Sequence, residues 1–276
     1  MPLKPGHHRP IGESAVKGTL AAAVIWFAAA FWAPAGAADI GVVLMPGKGG
    51  TSGPNSLLGP LSRVLEEAGM LVEAPEVPWS RLRYLDRDYE DSMAEIDRAV
   101  ERLRGKGAKR IVVGGQSMGA NAALGYGARR EGLAGIAAIS PGHVVEEPAR
   151  AKIFAGSLAK ARAMVAAGKG AERAEFTDND QGKNFPITVT ARTYVSWFAP
   201  DGPSVFPTNA AALRPGTALL WLYGDKDGNL RQRGQAYAFA KAPPHPKNAY
   251  VVVAGGHMDT IRIEPGRIKD WIASLD

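Results

Sequence analysis

The chain has 276 residues, 46% hydrophobic and 22% charged, and its 33 Gly and 20 Pro follow no triplet period, so a disordered or collagen-like chain is excluded. It contains no cysteine, which removes disulfide frameworks, thiolate zinc sites and cysteine nucleophiles. The formal charge of +6 comes from 33 Lys and Arg against 27 Asp and Glu scattered along the chain; with no basic stripe or interleaved aromatic-basic motif, no nucleic-acid partner is expected.

The amino terminus reads as an export signal. Lys4, Arg9 and Lys17 precede an apolar run from Thr19 to Ala33, and Pro34-Ala35-Gly36-Ala37-Ala38 supplies small residues where a signal peptidase cuts. A spanning helix needs about 20 residues, more than this run offers. Residues 1–38 are therefore expected to be a signal peptide, cleaved after Ala37 or Ala38, and the folded domain to cover 39–276 outside the cytoplasm, in the periplasm or secreted. The bulky Trp26, Phe27, Phe31 and Trp32 leave an uncleaved anchor as the alternative, the only route to a membrane.

Beyond the leader, short continuous apolar runs alternate with segments of helical spacing. Ile40 to Met45 is a β-rich run of the kind buried on both faces of a parallel sheet. Leu57 to Ala68 has helical spacing and ends at Gly69. Met70 to Ala74 is a second strand and Ser92 to Leu103 a helix. Arg110 to Val113 is a third strand, Ala120 to Arg130 a helix, and Leu133 to Ile139 a fourth strand. Glu146 to Gly168 is a long alanine-rich helix, and the polar, proline-rich 170–215 stretch carries weak strand signals at Ile187 to Thr190 and Thr193 to Trp197. Thr217 to Tyr223, a helix over Leu230 to Lys241, the strand Ala249 to Val253 and a final helix over Ile261 to Leu275 complete the pattern. Such alternation predicts an α/β fold, a mostly parallel doubly wound sheet, with a helical cap inserted at about 141–216 above its carboxyl edge.

Gly115-Gln116-Ser117-Met118-Gly119 stands immediately after a strand and before a helix. A sharp turn there demands small residues two positions either side of Ser117 and lifts its hydroxyl above the sheet. The competing reading makes Ser117 only a helix cap. Among the five histidines, His7 and His8 lie in the leader, His245 sits in a proline-rich loop, and His143 follows the fourth strand, within reach of the mouth of the site. His257 follows the last strand in Gly255-Gly256-His257, where an imidazole hangs over the carboxyl edge, and is the expected base. Its expected orienting carboxylate is Asp227, three residues past Gly224, with Asp225 as the alternative; Asp259 is expected to cap the last helix instead. Backbone donors for an oxyanion are expected at Met118 and in the turn Pro46-Gly47-Lys48-Gly49-Gly50, at Gly47 and Lys48. That turn lacks the spacing of a phosphate loop.

Together these residues resemble the α/β-hydrolase superfamily, over essentially all of 39–276: glycine-rich turn after the first strand, Ser117 elbow, late-strand acid, last-strand histidine, in the order Ser, Asp, His. Many members carry His-Gly where this chain has Pro46-Gly47, and the family's two antiparallel edge strands have no counterpart in the pattern. The resemblance implies a serine hydrolase cleaving a small carboxylic ester through an acyl-enzyme, with no metal or organic cofactor. The same three groups serve acyl transfer, thioester cleavage or peptide cleavage, and a non-catalytic envelope binding protein on this fold is the remaining alternative. Trp79, Tyr84, Tyr194, Trp197, Phe198 and Phe206 are candidates for an apolar acyl pocket, although each has packing as its blander role. Arg81, Arg83, Asp86, Asp88 and Glu90 read as a solvated face.

Overall fold

A computed structural model describes residues 39–228 and 234–275. The signal-peptide expectation for 1–38 and the start of the helix expected over Leu230 to Lys241 fall outside them.

The strands are β1 (Ile40–Met45), β2 (Leu71–Glu73), β3 (Arg110–Ser117), β4 (Gly135–Pro141), β7 (Ala218–Gly224) and β8 (Ala249–Val253), all parallel in the order β2-β1-β3-β4-β7-β8, while β5 (Arg173–Asp180) and β6 (Lys183–Thr190) form a separate antiparallel pair. The helices are α1 (Gly59–Glu67), α2 (Tyr89–Gly105), α3 (Met118–Arg129), α4 (Pro148–Ala166), α5 (Ala191–Phe198), α6 (Phe206–Ala211), α7 (Thr260–Ile263) and α8 (Pro265–Ala273).

Strand pleating explains why the apolar runs are continuous rather than alternating. Val43, Met45, Ile111, Val113 and Trp221 pack on one side with Met93, Ile96 and Val100 of α2 and Leu124 of α3. Their strand neighbours Val42, Leu44, Val112 and Leu220 pack on the other with Leu61 and Leu65 of α1 and Ile268 and Ile272 of α8. A sheet covered on both faces must be apolar at every position.

Chain connections leave β1 toward β2 on one side and β3 toward β4 on the other, so the strand order reverses between β1 and β3. Met45 pairs with Gly115 at that point. The ends of these two strands open a crevice of the kind in which open α/β sheets bind ligands. The stretch expected as a helical cap, which runs on from the end of β4 to just before β7, is not wholly helical: β5 and β6 form a hairpin between α4 and α5.

Three local expectations are corrected. Thr193 to Trp197 is helical, within α5, because the Thr190 side chain caps it by accepting from the Thr193 amide at 3.1 Å and Ala191, Tyr194, Trp197 and Phe198 bury one helical face. The final helix is two, broken at Glu264-Pro265, since proline donates no amide and fits a first turn better than a helix interior. In place of the helix expected up to Lys241, the described part holds two single 3-10 turns, Gln235–Tyr237 and Phe239–Lys241.

Candidate active site

Ser117 occupies the junction of β3 and α3 with φ 56° and ψ −115°, a conformation costly for a residue with a Cβ. Crowding holds it there. A Cβ on Gly115 would lie 2.6 Å from the Met45 carbonyl oxygen and 2.7 Å from the carbonyl carbon of Gly119, and one on Gly119 would lie 2.4 Å from the same Met45 oxygen. The glycines flanking Ser117 are thus demanded by backbone contact between β1, β3 and α3. The serine side chain makes no capping bond to α3, so the helix-cap reading of Ser117 fails. Its hydroxyl lies under Gly142, where a Cβ would come within 2.4 Å of Oγ, and the Gly142 amide donates to the Ser117 carbonyl at 3.1 Å.

Asp227 is fully buried just past β7, and its Oδ2 accepts from His257 Nδ1 at 2.7 Å. A carboxylate on Nδ1 fixes the tautomer that leaves Nε2 unprotonated. The two candidate acids meet different partners. Asp225 Oδ1 accepts from the Gly255 amide at 2.9 Å and touches the loop that carries the imidazole. That loop is also held by Asp225 N donating to Val253 O and Lys226 N donating to Gly255 O. Close approach of the two strand ends explains two more glycines: a Cβ on Gly224 would sit 2.1 Å from Gly255 O, and Gly255 itself has φ 148°. Asp259 does not cap α7; its Oδ2 instead accepts from Gly256 N at 2.8 Å, tightening the turn around His257.

Ser117, Met118, Gly47, Lys48 and His257 line one cavity of about 300 Å³. The Gly47 turn presses against the serine, since a Cβ there would lie 3.0 Å from Ser117 Cβ and 2.4 Å from Gln116 Oε1. Among the described residues, no acceptor receives the Gly47 or Lys48 amide, whereas Gly49 and Gly50 donate to Trp79 O and Gly47 O. Met118 opens α3, where helix amides lack intrahelical partners. These are the free donors that an oxyanion site requires. His245 is elsewhere, in its own turn with Nδ1 accepting from Lys247 N.

His143 lines the same cavity but serves differently from His257. It is buried, its Nε2 donates to Trp197 O at 2.8 Å, and burial, reinforced by the positive charge of Lys48, holds its pKa well below the ordinary histidine value. It is a neutral imidazole fixed against the insertion.

The insertion is tied to the turn after β1 by an ion pair. Lys48 Nζ reaches Asp178 Oδ1 on β5 at 2.6 Å, with side chains 7% and 0% exposed. Asp178 also accepts from Tyr84 OH at 3.1 Å and Asn179 N at 2.7 Å, and Lys48 lies 5.5 Å from the Phe198 ring centre. Burial next to this carboxylate pushes the Tyr84 pKa up. Asp178→Ala strands a buried ammonium and is expected to lower stability by about 3–5 kcal/mol in urea denaturation, while the paired change Lys48→Met with Asp178→Leu restores most of the loss.

Sequence reasoning missed Gln116, Gly142, Arg150 and Asp178. Gln116 is buried with Nε2 3.4 Å from His257 O, joining the elbow to the histidine loop; Arg150 lines the cavity from the first turn of α4. Gln116 falls at a position the elbow pattern leaves open, and no motif marks the other three, whose contacts span long sequence separations. Of the two roles open to the aromatic residues, packing holds and the acyl pocket does not. Trp79, Tyr194, Trp197, Phe198 and Phe206 are wholly buried in the core, Tyr84 is partly buried against it, and none of the six lines the cavity. Arg81 is exposed, as expected of a solvated face, and also lines the cavity.

The sequence matches no family model and no curated protein. Solved structures do share the fold. A monoacylglycerol lipase from Paleococcus ferrophilus is similar at 19% identity and a TM-score of 0.59, covering 86% of this chain and 95% of that one. A thermostable carboxyl esterase from Bacillus coagulans, in complex with glycerol, is similar at 16% identity and a TM-score of 0.58, covering 85% and 88%. A structure from work on two metagenome-derived lipolytic enzymes is similar at 15% identity and a TM-score of 0.59, covering 85% and 93%. At these identities the likeness establishes the α/β-hydrolase fold.

Proposed function

We propose that this chain, an α/β hydrolase by fold, is a serine hydrolase that cleaves carboxylic esters through an acyl-enzyme. The observation that carries the reading is the buried Asp227 carboxylate 2.7 Å from His257 Nδ1, in a cavity that His257 shares with the strained Ser117. Ser117 Oγ attacks the ester carbonyl while His257 Nε2 takes its proton. The resulting imidazolium is stabilised by Asp227 and returns the proton to the leaving alcohol. Water then repeats the sequence on the acyl-enzyme. The amides of Met118 and Lys48 receive the oxyanion, with Gly47 allowing the turn's close approach; loss of one such donor typically raises the barrier by about 3 kcal/mol. The lipases and esterases that share the fold support ester substrates. The amino-terminal pattern supports export to the periplasm or beyond.

Purified protein is expected to release p-nitrophenol from short-chain p-nitrophenyl esters with saturation kinetics. Release no faster than in buffer across acyl lengths contradicts the proposal.

A further inference from the structure

With the aromatic side chains withdrawn into the core, the cavity beside Ser117 is walled largely by hydrogen-bonding groups, among them Asn55, Ser56, Asn179 and Gln181. Its charged lining is Lys48, Arg81, Arg150 and Asp180. These charges are not equivalent. Lys48 is matched by the buried Asp178. Arg150 lies 3.7 Å from Glu147. Arg81 is different: its amide donates to Gly50 O at 2.8 Å, which fixes its backbone to the turn after β1, yet its guanidinium makes no hydrogen bond or ion pair with any described residue. Two positions on, Arg83 is fully engaged, by Asp86 and by both oxygens of Glu95. Among the described residues of the lining Asp180 is the one carboxylate, and no ion pair joins it to Arg81. The positive character of the wall registers on His143, whose protonation is opposed by Lys48 and Arg150 in addition to burial.

An exposed guanidinium that lines a reaction cavity and makes no hydrogen bond or ion pair with a described residue suits a planar oxyanion, which it binds through two parallel hydrogen bonds. We infer that the substrate is a compact ester carrying a carboxylate, and that Arg81 binds this carboxylate. The inference rests on the ester-hydrolase reading and adds its substrate class. A cavity of about 300 Å³, lined by Leu57, Leu58 and Met258 beside these polar groups, suits a compact ester.

Two pairs of esters test it, each a free carboxylate against its methyl ester, with the ratio for each pair divided by the ratio of the two esters' rates in buffer alone. In 4-acetoxybenzoate against its methyl ester, the carboxylate is on the leaving group. In mono-p-nitrophenyl adipate against methyl p-nitrophenyl adipate, it is on the acyl group. At least one charged ester is expected to exceed its neutral partner by about 10- to 100-fold in kcat/KM, through KM, as a charge-assisted hydrogen bond supplies. Arg81→Ala is expected to bring that ratio close to one, and Arg81→Lys to keep part of it. Ratios at or below one in both pairs, or a preference that survives Arg81→Ala, overturn the inference while leaving ester hydrolysis in place. Failure of every ester to turn over, neutral ones included, overturns the hydrolase reading and this inference with it.

Discussion

Ser117→Ala is expected to lower kcat for ester hydrolysis by about 10⁶-fold, the size of loss seen when a triad nucleophile is deleted from a serine hydrolase. The substitution is well suited to reading chemistry alone. The Ser117 side chain makes no capping bond to the helix it precedes, so its loss removes no structural hydrogen bond of that kind. The backbone stays in its strained conformation, because Gly115, Gly119 and Met45 still enclose it. Alanine also leaves more room under Gly142, where the hydroxyl now sits. The variant is therefore expected to melt close to the parent in circular dichroism while losing turnover. Retained turnover would show that another group carries the reaction.

Asp227→Asn is expected to lower kcat by about 10⁴-fold, the scale set by loss of the correct histidine tautomer in a triad. An amide at this position offers its NH₂ to Nδ1, which moves the imidazole proton to Nε2 and removes the lone pair that the proposed reaction needs to take the Ser117 proton. The fully buried Asp227 position offers little water to substitute for the carboxylate. Asp225→Asn is the matched control. Its side chain meets the Gly255 amide, and the Asn oxygen can still accept that bond, so its effect is expected to stay within about 10-fold. Steady-state kinetics on one short ester distinguish the two carboxylates; equal losses would contradict the division of roles.

Much of the sheet was legible because its strands answer to a rule that acts locally. Residues such as Val42 and Val43 point to opposite faces and both faces are covered, so each strand reads as an apolar run. The elbow was legible for a similar reason: backbone crowding permits only glycine at 115 and 119, and that leaves a pattern in the chain. His257 and Asp227 were legible through their positions just after β8 and β7. The insertion was harder. Thr193, Tyr194, Val195 and Trp197 have strand-like composition, and only the Thr190 cap and burial of one face make them helical. For the aromatic residues there packing and an acyl wall were both open, and packing holds: Tyr194 stacks between Phe176 and Phe198, all three inside the insertion. Arg81 looked like one charge in a solvated run; its place at the cavity depends on a backbone bond to Gly50, which no spacing rule encodes. Asp178 needed the hairpin to fold before it could meet Lys48.

The central claim is that Ser117 is an activated nucleophile, and trapping it covalently is the direct measurement. Protein treated with a fluorophosphonate and digested for mass spectrometry is expected to carry one adduct, on the peptide containing Ser117, and to lose that adduct when His257 is replaced by alanine. An unlabelled protein that is folded by circular dichroism, or an adduct placed on a different serine, would contradict the account.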